Sequence, residues 1–408
     1  MSVILRKFSW MVILPLVLLL GVQAQSAAVS PASSSTEKVS YPPMSQATLV
    51  SVPNMPAASS AMLPALYASA HASNMLLLRN GDLLCFWFSG SEEGQSNVGI
   101  VVSRLKKGEN TWGQTILVDR DPAKSFQNPV PFEAFNGDIW VFHTAQSAGK
   151  GQADSQVLKS ISKDGGVTWS TPVVVFAKAG SYTRQHIVDG ENGTLILPLF
   201  YSTANGITDG AQNNYSAVEV SSDGGNTWKE CIVPDSGGMV HMNIVKLAAK
   251  NYVAFFRSRF ADYIYRSASV DGCHWAPPVA TTLPNNNASI QAIKLANGHL
   301  VMAFDNMSGR KGVHVPQTGP RAPLTLALSA DDGVTWSAAR DLEVPDSTYA
   351  PGKAPFGLEE YSYPSLYQLL DKKIMVAYTY RRRAIKSVRF SEEWIKQGTT
   401  VGEYKPSN

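Results

Sequence analysis

Hydrophobic positions along this chain fall in short runs broken by Gly or Asn turns, and the arrangement returns many times. "MLLLRNGDLLCFWF", "AFNGDIWVFH", "DGENGTLILPLF", "KLAAKNYVAFF", "IKLANGHLVMAF" and "YQLLDKKIMVAY" each read as a strand, a tight turn and a second strand. The turn residues supply the positive φ and the local hydrogen bonds that a hairpin needs. A third strand follows in each case, so the repeating unit is an antiparallel set.

Three of these third strands end on one string. It runs Ser162-x-Asp164-x-Gly166-x-Thr168-Trp169, and recurs as Ser221, Asp223, Gly225, Thr227, Trp228 and as Ser329, Asp331, Gly333, Thr335, Trp336. A copy one residue shorter joins Ser269, Asp271 and Gly272 to Trp275, and degenerate versions set Ser103 before Thr111-Trp112 and Ser391 before Trp394. The Ser and Asp side chains can bond nearby amides while the Trp covers the turn from within, which reads as a self-contained plug between strands three and four. The tryptophans at 112, 169, 228, 275, 336 and 394 recur every 47 to 61 residues. Short strands at that period are what a β-propeller blade requires, because each four-stranded sheet needs neighbours to bury both faces. The expectation is an all-β, six-bladed β-propeller over residues 61–400.

Up-and-down order then sorts the remaining segments. With the Asp turns on one face, the entries to each first strand and the loops between second and third strands must share the opposite face. The entries carry His71 and Asn74, Gln127 and Asn128, Arg184 and His186, His241 and Asn243, Asn285 to Asn287, and Glu360, Tyr361 and Tyr363. The second-to-third loops carry Glu92 and Glu93, His143, Tyr201, Arg257 and Arg259, Asp305 and Asn306, Arg321, and Arg381 to Arg383. Structural turns would favour Gly, Asn and Ser. So many Arg, His and Tyr converging on one axis point instead to a concave ligand pocket. Guanidinium forks suit a carboxylate, and Tyr with carboxylates beside them suits acid/base or nucleophilic work.

Composition narrows the partners. Lys+Arg number 35 against 32 Asp+Glu, so no bulk field points to nucleic acid or an anionic membrane. Residues 1–24 read as a secretory signal: Arg6 and Lys7 precede the apolar run Met11–Leu20, and Val22-Gln23-Ala24 offers small residues for cleavage. That run is short for a bilayer span, so an exported protein, periplasmic or secreted, with no stable membrane insertion after cleavage, is expected rather than an anchored one. Residues 25–60, rich in Ala, Ser and Pro, read as a flexible leader, with "ATLVSV" at 47–52 able to add a strand. Cys85, Cys231 and Cys273 are too few for a disulfide framework and lack zinc-type spacing; Cys85 reads as core, and a single disulfide remains open in an exported protein. Neither HExxH nor EF-hand spacing occurs, so no metal and no cofactor is expected.

The Asp turns, the period and the string "RAPLTLALSADDGVTW" resemble the sialidase (neuraminidase) superfamily, notably its bacterial sialidase-like members, over about residues 60–395. The resemblance implies a propeller of sialidase type with three arginines for a substrate carboxylate, a Tyr nucleophile assisted by Glu, and an acidic acid/base. Carried onto this chain, Arg257 and Arg321 match two of the arginines. "YPSL" at 363–366 makes Tyr363 the nucleophile, with Tyr361 as an alternative.

Departures are as informative. His71, ten residues before Gly81, stands where the family carries its first arginine. The activating Glu is replaced within "HMN", leaving His241 or Glu360 to serve, and Glu93 in "SGSEEG" takes the acid/base place. Arg184, His186, Asn128, Asn286 and Arg382 complete the expected substrate contacts. The implied activity is an exo-glycosidase releasing a terminal acidic sugar, sialic or a related ulosonic or uronic acid, from a glycan; sialidases depart from the usual carboxylate pair by using Tyr. A uronate-directed polysaccharide lyase and a carbohydrate-binding propeller without turnover are the alternatives.

Overall fold

The computed structural model describes residues 46–53, 55–203, 208–309, 313–345, 360–400 and 402–404. The signal sequence expected at 1–24 and the leader up to residue 45 lie outside the described residues. Among the described residues six antiparallel sheets follow the chain, each entered by its innermost strand. Blade one comprises Ser69–Leu77, Leu83–Gly90, Gly99–Leu105 and Ile116–Asp119. Blade two comprises Lys124–Glu133, Ile139–Ser147, Gln156–Ser162 and Val173–Phe176. In blade three the innermost strand is broken into Ser181–Thr183 and Val188–Asp189, before Leu195–Tyr201, Tyr215–Ser221 and Lys229–Ile232. Blades four and five open on Met239–Ala248 and Gln291–Lys294, and blade six on Tyr361–Gln368.

Blade six is completed from the other end of the chain. Its third strand, Ala384–Phe390, pairs with Ser59–Met62, which in turn pairs with Val50–Ser51. Residues 46–60 are therefore not wholly a flexible leader: a strand is present near the place "ATLVSV" suggested, and the propeller begins before residue 61. The inner strands are not alternating but continuously apolar, because neighbouring blades cover both faces. Leu83–Gly90 and Leu324–Ser329 are buried throughout, while the outermost strands leave Val173, Val174 and Ile232 exposed.

The repeated Asp turn is a joint rather than a self-contained plug. Within it the expected bonds form: Gly166 N donates to Ser162 Oγ at 2.7 Å, and Thr168 N and Oγ1 donate to Asp164 at 2.9 and 2.5 Å. Its Trp, however, reaches back onto the preceding blade. Trp169 meets Phe86 at 5.7 Å between centroids, Trp228 meets Phe142 at 6.2 Å and Trp336 meets Phe255 at 5.8 Å. Trp275 packs with Ile196 and Val218, Trp112 donates Nε1 to Ser387 Oγ of blade six at 3.0 Å, and Trp394 lies under the Arg340 guanidinium of blade five at 4.5 Å. The glycine takes part: a Cβ on Gly225 would stand 2.8 Å from Trp140 and one on Gly333 2.3 Å from Phe255, at φ +87° and +76°.

Two local expectations change. Ser391 to Trp394 is not a degenerate Asp turn but a short helix, Glu392–Lys396, capped by Ser391 with Glu392 and Glu393 in its first turn. Cys231 of blade three and Cys273 in the shortened Asp turn of blade four form a disulfide across the blade boundary, and Cys85 is free and buried.

Candidate functional site

The innermost strands carry a second repeated device. Four of them contain a bulge, with register shifts between His71 and Asn74, Gln127 and Val130, Val240 and Asn243, and Ser362 and Ser365. At each bulge one non-glycine residue is left-handed: Ala72 at φ +61°, Asn128 at +50°, His241 at +53° and Tyr363 at +54°. Asn287, at φ +62°, holds a comparable place just before the first strand of blade five. Such conformations cost about 1–3 kcal/mol each and re-aim side chains out of the strand's regular alternation. Here they turn polar groups toward the axis.

The result is a hollow of about 380 Å³ whose lining includes Glu93, Asn128, His241, Arg257, Arg259, Arg321, Tyr363 and Arg382. Tyr363 is on that lining. Arg257 Nη1 donates to Tyr363 Oη at 2.6 Å, and Arg257 Nε donates to Asn287 Oδ1 at 2.7 Å. Three guanidinium carbons lie near the phenol ring: Arg184 at 5.1 Å, Arg321 at 5.4 Å and Arg257 at 5.7 Å from the centroid. Burial pushes the phenol's pKa up, but Arg257 and Arg321 outweigh it and leave the group below its ordinary value.

Glu360 lies behind this wall and organises it. Arg321 Nη1 donates to Glu360 Oε1 at 2.6 Å and Arg382 Nε to Oε2 at 2.8 Å, while Ser362 Oγ adds a bond at 2.6 Å and Arg382 also holds Glu93. Burial raises the Glu360 pKa, yet Arg321 and Arg382 reverse this and set it at about 2. Glu360 thus ties Arg321 and Arg382 together, and a carboxylate so held is a weak base.

Two histidines flank the phenol instead. The rings of His71 and His241 lie 4.2 and 5.7 Å from that of Tyr363. Burial first, then the surrounding guanidiniums, holds both well below the usual imidazole pKa, so both are neutral at pH 7. His71 Nε2 and His241 Nδ1 are buried with no hydrogen-bond partner among the described residues. His71 itself is not on the hollow's surface: its Nδ1 bonds Thr379 Oγ1 at 2.8 Å, and Arg382 of blade six joins Arg257, Arg259 and Arg321 on the wall.

Other expected contacts are placed elsewhere. Arg184 is buried beneath Tyr363, donating to Ser289 Oγ, Ser73 O and Pro364 O at 3.0, 3.0 and 3.2 Å, so it supports the floor rather than facing a ligand. His186 lines a separate hollow with Lys246 and Lys294, toward the turns between first and second strands. Asn286 bonds Asp305 Oδ2 and Pro320 O at 2.9 and 2.6 Å, fixing the segment that leads to Arg321. The Tyr361 hydroxyl accepts from Arg381 at 3.1 Å and does not line the hollow.

Sequence reasoning passed over Gln146, Gln152, Tyr182 and Phe200, which line the hollow from blades two and three. Arg259, which the sequence places only among the loop residues, lines it too. Its two-residue spacing from Arg257 is the signal, since alternate residues of an extended chain share a face. No group of three or more His, Cys, Asp or Glu able to hold a metal occurs among the described residues. No helix among them is long and apolar enough to cross a membrane.

A propeller of six such blades, with its polar hollow on the axis, defines the class. The chain belongs to the BNR repeat-like domain family, whose model matches residues 81–376. Its fold is that of solved sialidases. It matches the Hadza microbial sialidase Hz136 with a TM-score of 0.64 at 17% identity, over 81% of this chain and 67% of that one. It matches the NanB sialidase of Streptococcus pneumoniae with a TM-score of 0.64 at 13% identity, over 81% and 69% of the two chains. The intramolecular trans-sialidase of Ruminococcus gnavus, solved with oseltamivir carboxylate, gives 0.61 at 14% identity over 81% and 96%. No curated protein sequence matches the chain.

Proposed function

We propose that this protein is an exo-glycosidase of sialidase type acting on a glycan that ends in an acidic sugar. The observation that carries this reading is the Arg257 Nη1 to Tyr363 Oη bond of 2.6 Å on the lining of an arginine-walled hollow. Arg257, Arg321 and Arg382 receive the sugar carboxylate, Glu360 holding two of them in place. Tyr363 Oη attacks the anomeric carbon as the glycosidic bond breaks, and Glu93, released as Arg382 turns to the sugar carboxylate, takes a proton from solvent and gives it to the departing oxygen. A neutral phenol avoids the repulsion an anionic nucleophile would meet beside that carboxylate. Since Arg257 can only donate to Tyr363, and with Arg321 holds the phenol below its ordinary pKa, the phenol's proton passes to water in the hollow as Oη attacks. Water then releases the sugar from Tyr363, with Glu93 as base.

One observation favours a second reading. Two neutral histidines rather than a carboxylate flank Tyr363, and His with Tyr can remove and return a proton next to an Arg-neutralised uronate, which is elimination. Products separate the two. Purified protein is incubated with sialyl, other ulosonic and uronic glycosides; a saturated free sugar supports hydrolysis, and an unsaturated uronate absorbing in the near ultraviolet supports elimination. Full turnover surviving both Tyr363→Phe and Arg321→Ala would remove this site from either chemistry.

A further inference from the structure

The cationic side chains of the hollow outnumber what one carboxylate requires. Lys150, Arg257, Arg259, Arg321 and Arg382 line it against Glu93, with Glu360 behind. Arg321 and Arg382 share Glu360, and Arg257 is tied to Tyr363 and Asn287. Arg259 is different. It is 1% exposed, and its one side-chain bond among the described residues is from Nη2 to Gln152 Oε1 at 3.3 Å. Its Nε and Nη1 are buried without a partner. The guanidinium carbon sits 5.6 Å from the centroid of the Phe200 ring, so an aromatic wall stands beside the fork. Among the described residues no carboxylate forms an ion pair with it. A buried guanidinium with two idle donors is destabilising unless an anion arrives, and burial with the nearby Arg257 accordingly draws its pKa down to about 9.

We propose that Arg259, with Gln152 beside it, forms a second oxyanion subsite, so that the sugar acid carries another anionic substituent besides its carboxylate. A sulfate ester and a second carboxylate each present a pair of anionic oxygens that an Arg fork can bind. This inference rests on the acidic-sugar reading above and narrows its substrate class.

The test is calorimetric titration of the full chain with methyl glucuronide, its monosulfates esterified at each hydroxyl in turn, and the corresponding aldarate dicarboxylate. N-acetylneuraminic acid and its 8-sulfate provide a parallel pair. At least one dianionic probe is expected to bind about tenfold more tightly than its plain parent. Arg259→Met should erase that advantage and leave the plain acid within about twofold of wild type. Removing an unpaired buried charge should also leave the melting temperature of the unliganded variant equal or higher, so a folding defect is not the expected confounder. Sulfate against dicarboxylate preference identifies the second group. Equal binding of plain and dianionic probes overturns the second subsite, as does an equal loss for both in Arg259→Met, which would make Arg259 part of a single clamp. Failure of every sugar acid to bind wild-type protein overturns the acidic-sugar reading itself.

Discussion

The two ends of the same strands are built on opposite principles. At the Asp turns the Ser, Asp and Thr side chains are answered within a few residues: Ser221 and Thr227 both bond Asp223, at 2.8 and 2.6 Å, and Gly225 N bonds Ser221 Oγ at 2.8 Å, leaving only the indole N–H of Trp228 buried without a partner among the described residues of that turn. Around the axial hollow, His241 Nδ1, Arg257 Nη2 and two nitrogens of Arg259 on its lining and His71 Nε2 behind it are buried without partners among the described residues. Left-handed backbone at Asn128, His241 and Tyr363 adds strain there. Buried polar groups left unanswered destabilise a fold, so the hollow persists because the joints between blades hold it open.

That contrast gives an ordered set of tests. The largest effect belongs to Tyr363→Phe, which should lower kcat/KM on the preferred acidic glycoside at least about 1000-fold while the thermal midpoint holds, as read by initial rates and calorimetric melts. Next is Glu360→Gln. It leaves Arg321 and Arg382 buried without their shared anion and should cost about 3–5 kcal/mol in denaturant unfolding. The same carboxylate sets an acid limit. Its folded pKa of about 2 lies below the ordinary value, so its contribution is complete above about pH 4.3 and fades as the pH falls toward the folded value. A wild-type unfolding curve flat across that window, or identical to that of Glu360→Gln, would contradict the assignment.

Opening the Cys231–Cys273 bond by Cys231→Ala with Cys273→Ala should cost about 2–4 kcal/mol, since it releases a closed loop between two blades. Turnover at moderate temperature should remain. The smallest effect is expected from Asp164→Ala, which loses bonds from Thr168 and Ser162 on an exposed turn. A modest fall in melting temperature with unaltered kcat/KM is the expected result. Loss of activity there, with folding intact, would break the division between joint and hollow.

The blades were legible because their signals are local: turn glycines, apolar runs and a Trp at a steady period. Tyr363, Arg257, Arg321, Arg382 and Glu93 could be grouped because the up-and-down order alone assigns each loop to a face. What the order does not give is depth. Arg184 and His71 stand at strand entries like Asn128, yet one props the floor from below and the other packs against Glu360, since their neighbours come from distant blades. The closing strand was partly legible for the same reason. "SSAM" at 59–62 has no periodic signal of its own, and its register is set by Ala384–Phe390 at the far end of the chain.

That seam has a further consequence for how the molecule is assembled. The edge of blade six offers open backbone groups until Ser59–Met62 arrives, and the earliest of these strands to leave the ribosome must wait for nearly the latest. Until they meet, both are exposed edges able to pair with another chain. Trimming the start of the protein as far as residue 62 would therefore unzip the ring rather than shorten a tail, whereas a new start placed between two blades, with the old ends joined, would leave every pairing intact.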